Sequence, residues 1–250
     1  MAEYEVFQNP PITEAIIDIR TILPDDISLN DLEKLHDRVK DRFPQKEEMK
    51  FFSGKMKLPD KHDSGFDFIN NDSRTLGYLF KSEKGSTVVQ FRLDGFTFNK
   101  LKPYQNWEIF SGQGRDLWNL YLETTKPSQI QRIGVRYINH ILLPLPFDDF
   151  DEYILTNPKI APDLPQGLFS FFMRFEIPHP EMGFNAIVTQ TMEPPNEERR
   201  LPFVYDIDVF KMEDYTKNPD KIWDDLTDLK KFENDIFFKS ITDKTKELFK

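Results

Sequence analysis

The run Gln129-Ile-Gln-Arg-Ile-Gly-Val-Arg-Tyr-Ile-Asn-His-Ile-Leu-Leu143 constrains the fold of this chain more than any other stretch. Successive strand side chains point to opposite faces. Ile133, Val135, Tyr137 and Ile141 therefore share one face, and Arg132, Gly134, Arg136, Ile138 and His140 share the other. One apolar face and one charged face is the pattern of an antiparallel sheet covered on a single side. The charged face has two readings. One is a solvated surface with cross-strand ion pairs, which the usual exposure of charged residues favours. The other is a binding face lined by arginines.

The flanking sequence repeats the design. Pro10-Pro11 blocks helix and favours extended backbone. Glu14–Ile22 then reads as a strand, with Ala15, Ile17 and Ile19 on one face and Glu14, Ile16, Asp18, Arg20 and Ile22 on the other. Ser28 or Asn30 caps a helix running to about Phe43, with Leu29, Leu32, Leu35 and Val39 at helical spacing. Met49–Phe52 and Phe66–Ile69 read as short strands around a loop at Lys57–Gly65. Leu76–Ser82 and Thr87–Asp94 make a hairpin, and Phe96–Lys100 continues its second strand past a kink at Gly95. Pro103 opens a helix to about Thr125. Beyond the central strand, Asp148 or Asp149 caps a short helix, 156–167 is a loop, and Leu168–Ile177, Phe184–Met192 and Pro202–Lys211 are strands. Asn218-Pro219 starts a long helix, capping residue then proline, with a break expected near Ser240.

Written coarsely, 12–125 and 129–250 both read β-α-β-β-β-α. Val89, Phe91, Leu93, Asp94 and Phe96 match Phe203, Tyr205, Ile207, Asp208 and Phe210 at one constant offset. Each match is followed by a Tyr- and Trp-containing lead into a long helix, Tyr104 and Trp107, then Tyr215 and Trp223. The expected fold class is α+β: a duplicated β-α-β-β-β-α module, halves 1–127 and 128–250 fused into one domain. One curved antiparallel sheet then carries long helices, 104–125 and 219–250, on one face, like the TATA-binding-protein saddle or a helix grip. Fold analogy of this kind carries no function.

Three motifs carry a family resemblance: Asn9-Pro-Pro-Ile-Thr-Glu-Ala-Ile with Asp18-Ile-Arg20, Tyr104-Gln-Asn-Trp107 with Trp118, and Arg132-Ile-Gly-Val-Arg-Tyr-Ile-Asn139. Together they resemble an uncharacterised, sporadically distributed family of prokaryotic proteins, over nearly the whole chain. The resemblance implies a horizontally transferred accessory or defence-type role. It brings no catalytic residue to transfer.

Composition removes several chemistries. There are no cysteines, so disulfides, thiol nucleophiles, zinc ribbons and iron–sulfur clusters are excluded. A net charge of -10 weighs against a broad nucleic-acid footprint, which needs a basic face. No apolar run approaches the roughly 18 residues of a membrane helix, and Met1–Phe7 lacks the features of a signal peptide, so no membrane association and a cytoplasmic location are expected. With 24 phenylalanines in 250 residues, the core should be largely aromatic.

No catalytic motif emerges. His36, His62, His140 and His179 show no metal-ligand spacing, and no His-Glu-x-x-His run occurs. There is no Gly-rich phosphate loop and no Gly-x-Ser-x-Gly elbow. No cofactor, metal or catalytic residue is therefore expected. His140 is the one histidine inside a strong element. The lead is the charged set Arg20, Arg92, Arg132, Arg136 and Arg174, from four strands yet on one expected face, with His140, Glu176, Asp206 and Asp208 beside them. Arginine forks suit carboxylates, phosphates or acidic side chains, and the acids among them are equally placed to neutralise the set. The first expectation is a non-enzymatic binding or interaction protein holding a protein partner or a second copy. The alternative is a small-anion or nucleotide binder, with enzymatic turnover as an extension of that reading. A sheet with free edges also suggests a dimer.

Overall fold

The computed structural model describes residues 4–57 and 67–250, with the backbone alone for 52–57 and 67–72. The order is β1 (Ile12–Ile22), α1 (Leu29–Val39), β2 (Gln45–Lys57), β3 (Asp67–Lys81), β4 (Thr87–Arg92), β5 (Gly95–Leu101), α2 (Trp107–Thr125), β6 (Gln129–Pro144), β7 (Phe172–His179), β8 (Phe184–Met192), β9 (Arg200–Met212), α3 (Lys221–Ser240) and α4 (Asp243–Lys246). A 3-10 turn at Phe150–Glu152 stands where a short helix is expected. Among the described residues nine strands form one antiparallel sheet, ordered β2-β3-β4-β5-β1-β6-β9-β8-β7. The fold class is α+β. No helix among the described residues is long and apolar enough to cross a membrane.

The alternation in the sequence sets the two faces of this sheet. Ala15, Ile17 and Ile19 of β1, Ile133, Val135 and Tyr137 of β6, and Phe203, Tyr205, Ile207 and Val209 of β9 are all completely buried. They pack under α2 and α3, whose Leu117, Trp118, Tyr121, Ile222, Leu226 and Leu229 join the same core. The core is aromatic, as the phenylalanine count requires. Phe96 meets Trp118 edge-on at 5.7 Å between ring centroids, and Phe91 stacks on Tyr121 at 6.1 Å. Contacts of this geometry add to the area each ring buries.

Four expectations are corrected. Thr87–Lys100 is not one kinked strand but a tight hairpin, β4 and β5, turning at Leu93-Asp94. Gly95 enables the turn: its φ is +149°, and a Cβ there would lie 2.2 Å from the Ile19 carbonyl oxygen. The first half therefore has four strands after its helix, and the constant-offset match fails structurally. Val89 and Phe91 lie in β4 and Phe96 in β5, whereas Phe203–Phe210 lie in the single strand β9. Second, Asp67–Ile69 and Leu76–Lys81, from two strands expected to be separate, belong to one long β3, and Phe66 falls outside the described residues. The expected loop at Lys57–Gly65, with His62, falls outside the described residues beyond Lys57. Third, the strand expected from Leu168 starts at Phe172, and Phe169 is 99% exposed. Fourth, α2 starts at Trp107 rather than Pro103, because Asn106 accepts from the Ile109 N–H at 2.9 Å and so caps it.

The expected break in the last helix is present and has a tertiary cause. Ile241 is extended and bridges Ile154, while the Ser240 carbonyl accepts from the Leu155 N–H at 2.8 Å. Thr242 then caps α4. The chain leaves the helix to pair with the segment after the 3-10 turn.

Candidate functional site

Among the described residues the face opposite the helices carries no helix. At its centre lie β1 and β6, flanked by β5 and β9. Register brings the charged side chains together. Asp18 of β1 sits opposite Thr97 of β5 on one side and Gly134 of β6 on the other.

Asp18 is the hub. Its Oδ1 accepts from Arg20 Nε at 2.9 Å and Arg132 Nη1 at 3.1 Å, and its Oδ2 accepts from Arg92 Nη2 at 3.1 Å and the Thr97 hydroxyl at 2.8 Å. Asp94, in the hairpin turn, holds the outer ends of two arginines, Arg20 Nη1 at 2.7 Å and Arg92 Nε at 2.8 Å. Arg132 reaches on to both oxygens of Asp208, at 3.2 and 3.0 Å. Arg136 grips Asp206 through Nε and Nη2 at 2.7 and 2.6 Å, the bidentate fork that guanidinium geometry favours. Four arginines are thus matched by four aspartates, and the set is electrically closed.

Gly134 makes the reach of Arg132 possible. A Cβ at that position would lie 2.9 Å from Arg132 Nη1, so the guanidinium occupies the space a side chain would take. The same guanidinium stacks over Phe210, 4.4 Å from the ring centroid. The four arginines, Asp18, Asp208, Thr97 and Gly134 line a groove of about 490 Å³ together with Ile16, Gln90 and Asn99.

The network splits the carboxylates electrostatically. Burial pushes Asp18 up, but Arg92, Arg20 and Arg132 outweigh it, and the carboxyl is held below its ordinary range. Burial also pushes Asp208 up. There Arg132 and Arg136 do not compensate fully, the negative charge of Asp18 adds to the effect, and the carboxyl stays above its ordinary range. Two acids in one network thus take opposite shifts. Arg92, only 5% exposed, stays firmly charged because Asp18 and Asp94 more than offset its desolvation.

The sequence-derived candidates divide. Arg20, Arg92, Arg132, Arg136, Asp206 and Asp208 come together. His140 lies further along β6, its Nε2 3.8 Å from Glu193 Oε2, too long for a hydrogen bond. Arg174 and Glu176 sit on the outer strand β7 and pair with each other at 3.2 Å, apart from the network. Asp18, Asp94, Thr97, Gly134 and Phe210 are network members outside the sequence-derived candidate set, although alternation already placed Asp18 and Gly134 on this face. Asp94-Gly95 between two alternating runs is the signal that marks the turn.

On the helix side, a second polar cluster joins α3 to β6. Lys230 Nζ donates to Glu233 at 2.8 Å and lies 4.2 Å from the Tyr137 ring centroid, while the Tyr137 and Tyr104 hydroxyls are 3.0 Å apart. Burial holds the Glu233 carboxyl above its ordinary range despite Lys230. Every charge in this cluster has a partner within it, the arrangement a buried ion pair needs to persist.

The open face offers charges bound and oriented by one another, with the Thr97 hydroxyl donating to the hub carboxylate of Asp18. Comparison of the chain with protein-family models, curated proteins and solved structures returned no match.

Proposed function

We propose that this is a non-enzymatic interaction protein whose open sheet face docks a protein partner. The carrying observation is the closed network: each of Arg20, Arg92, Arg132 and Arg136 already holds a carboxylate of its own chain. An incoming anion must compete with an aspartate for each guanidinium, whereas a protein surface needs only to cover a preorganised patch flanked by the half-buried Ile16, Ile138 and Ile187. Ordering such side chains in advance lowers the cost of association. The resemblance to a sporadically distributed prokaryotic family fits an accessory role of this kind.

The same reading takes the two halves, 1–127 and 128–250, as copies of one module in a sheet of the TATA-binding-protein or helix-grip type. Its support is the symmetry of strand order. Each half's first strand pairs with its own last strand, β1 with β5 and β6 with β9, and the two first strands pair antiparallel at the centre.

The rival, a small-anion or nucleotide binder, draws on the groove and on Arg136, whose side chain is 43% exposed. Native mass spectrometry of protein purified gently from its own host separates the two. A protein complex lost on Ile138→Lys, which leaves the arginines in place, supports docking. A small-molecule adduct lost on Arg136→Ala overturns docking in favour of the ligand reading, and a phosphate-bearing ligand would then raise the melting temperature.

A further inference from the structure

Strand β7 is an outer edge of the sheet. Its strand partner is β8, and among the described residues no backbone hydrogen bond reaches its free side. We propose that this edge binds a second copy of the chain, β7 pairing antiparallel with its counterpart about a two-fold axis at Phe175.

The argument is the order of residues along the edge. Phe172-Met-Arg-Phe-Glu-Ile-Pro178 is a chemical palindrome about Phe175. An isologous contact makes residue i meet j while j meets i, and from Met173 to Ile177 the residues that face each other are complementary. Arg174 faces the partner's Glu176, and Glu176 faces the partner's Arg174. Met173 faces the partner's Ile177, Phe172 faces the partner's Pro178, and Phe175 faces the partner's Phe175. Directly opposed residues of an antiparallel pair lie on the same face. The Arg174–Glu176 and Phe172–Pro178 pairs therefore lie on the open face, and the pairs of Met173, Phe175 and Ile177 on the helix side, where these three are only half-buried now.

Backbone chemistry selects the same register. Pro178 has no N–H, and within a sheet a proline nitrogen faces the unpaired side. Phe172, Arg174 and Glu176 share its parity and so turn their N–H and C=O groups outward. Arg174 and the partner's Glu176 then exchange two main-chain bonds, and Phe175 falls at a non-hydrogen-bonded pair, the closer of the two spacings. The ladder ends at Phe172 and the partner's Pro178, because the proline has no N–H to donate.

A two-fold axis normal to the sheet leaves both open faces on the same side, so the dimer presents one continuous sheet of twice the width. This inference does not rest on the docking function of that face.

Sedimentation and light scattering across a concentration series test it, with Arg174→Glu, Glu176→Arg and the double exchange R174E/E176R. Both side chains are largely exposed, at 47% and 62%, so the fold is expected to survive each change. The wild type is expected to sediment as a dimer. Each single variant sets like charges opposite one another twice and weakens the dimer at least about tenfold, and the double exchange restores it. Because the chain has no cysteine, register is read separately by mixing R174C and E176C chains. A disulfide is expected in the mixture and not in either sample alone, where the sulfurs lie too far apart to bridge. A wild type that stays a single chain, single variants with undiminished dimerisation, or cross-links in the unmixed samples would each overturn the proposal.

Discussion

Arg20 and Arg132 face each other directly across the two central strands, β1 and β6. Like charges directly opposed on a sheet are destabilising. Asp18 resolves the conflict by accepting from both, and it accepts from the deeply buried Arg92 as well. One carboxylate is therefore what lets three guanidiniums share the middle of the sheet.

Asp18→Asn should be the most damaging polar change on the open face. It removes one of the two counter-charges of Arg92, which lies almost wholly out of water and keeps only Asp94, and it leaves Arg20 and Arg132 facing each other unscreened; a loss of about 3 kcal/mol is expected. Arg136→Ala breaks a pair whose arginine is 43% exposed, and a cost of about 1 kcal/mol or less is expected. Urea unfolding measures both, and equal midpoints for the two variants would contradict the hub role of Asp18.

Gly134→Ala is expected to displace the Arg132 guanidinium rather than the backbone, since the atom its Cβ would meet is the end of a long side chain. The cost should be about 1 kcal/mol. It should be strongly non-additive with Arg132→Ala, because the two changes remove the same contacts. A double-mutant cycle that sums simply would show that the glycine serves some other purpose.

The opposite shifts of Asp18 and Asp208 predict opposite pH signatures. Asp18, held below its ordinary value, contributes stability that is present above that value and lost as pH falls through the folded one. Asp208, held above its ordinary value, has the reverse sign: stability declines as pH rises from the ordinary value through the folded one. Asp208→Asn should therefore abolish a loss on the rising side, and Asp18→Asn should abolish a loss on the acid side. Denaturant unfolding between about pH 3 and 7 reads both slopes.

Alkaline titration should find few phenols ionising near their ordinary value. Burial pushes the Tyr121 and Tyr205 hydroxyls up to about 12, and raises Tyr104, Tyr137 and Tyr215 as well. Tyr121 also donates to the Arg92 carbonyl at 2.9 Å, beneath the network. Phenolate absorbance should climb steeply only where the fold opens, and Tyr121→Phe should lower the melting temperature by leaving that carbonyl unpaired. A smooth titration near pH 10 would contradict the burial of these rings.

Much of the sheet was legible because a strand's faces follow from parity alone. The inward sets of β1, β6 and β9 are those that alternation predicts, and the open-face set that includes Arg132, Arg136, Asp206 and Asp208 follows from the same rule. The β4–β5 hairpin was less legible, because the alternation of Val89 and Phe91 resumes at Phe96 with the parity broken only at the turn. Reading through Asp94-Gly95 hid Asp94, and with it the carboxylate that holds Arg20 and Arg92 together. Arg174 and Glu176 share the face of the network but lie three strands away from β6, a distance that parity does not encode.

By itself, then, the sequence determined that β1, β6, β8 and β9 are strands, which face each of their side chains takes, and that one face must be apolar and the other charged. Those properties depend on neighbours two to four residues apart. Only the tertiary structure decided which arginine meets which aspartate, that Asp18 serves three of them, and that Gly134 leaves room for Arg132. Five of the ion pairs, Arg20–Asp94, Arg92–Asp18, Arg132–Asp18, Arg132–Asp208 and Arg136–Asp206, join residues 70 or more positions apart. They are set by strand order and register, which the packing of the whole core selects.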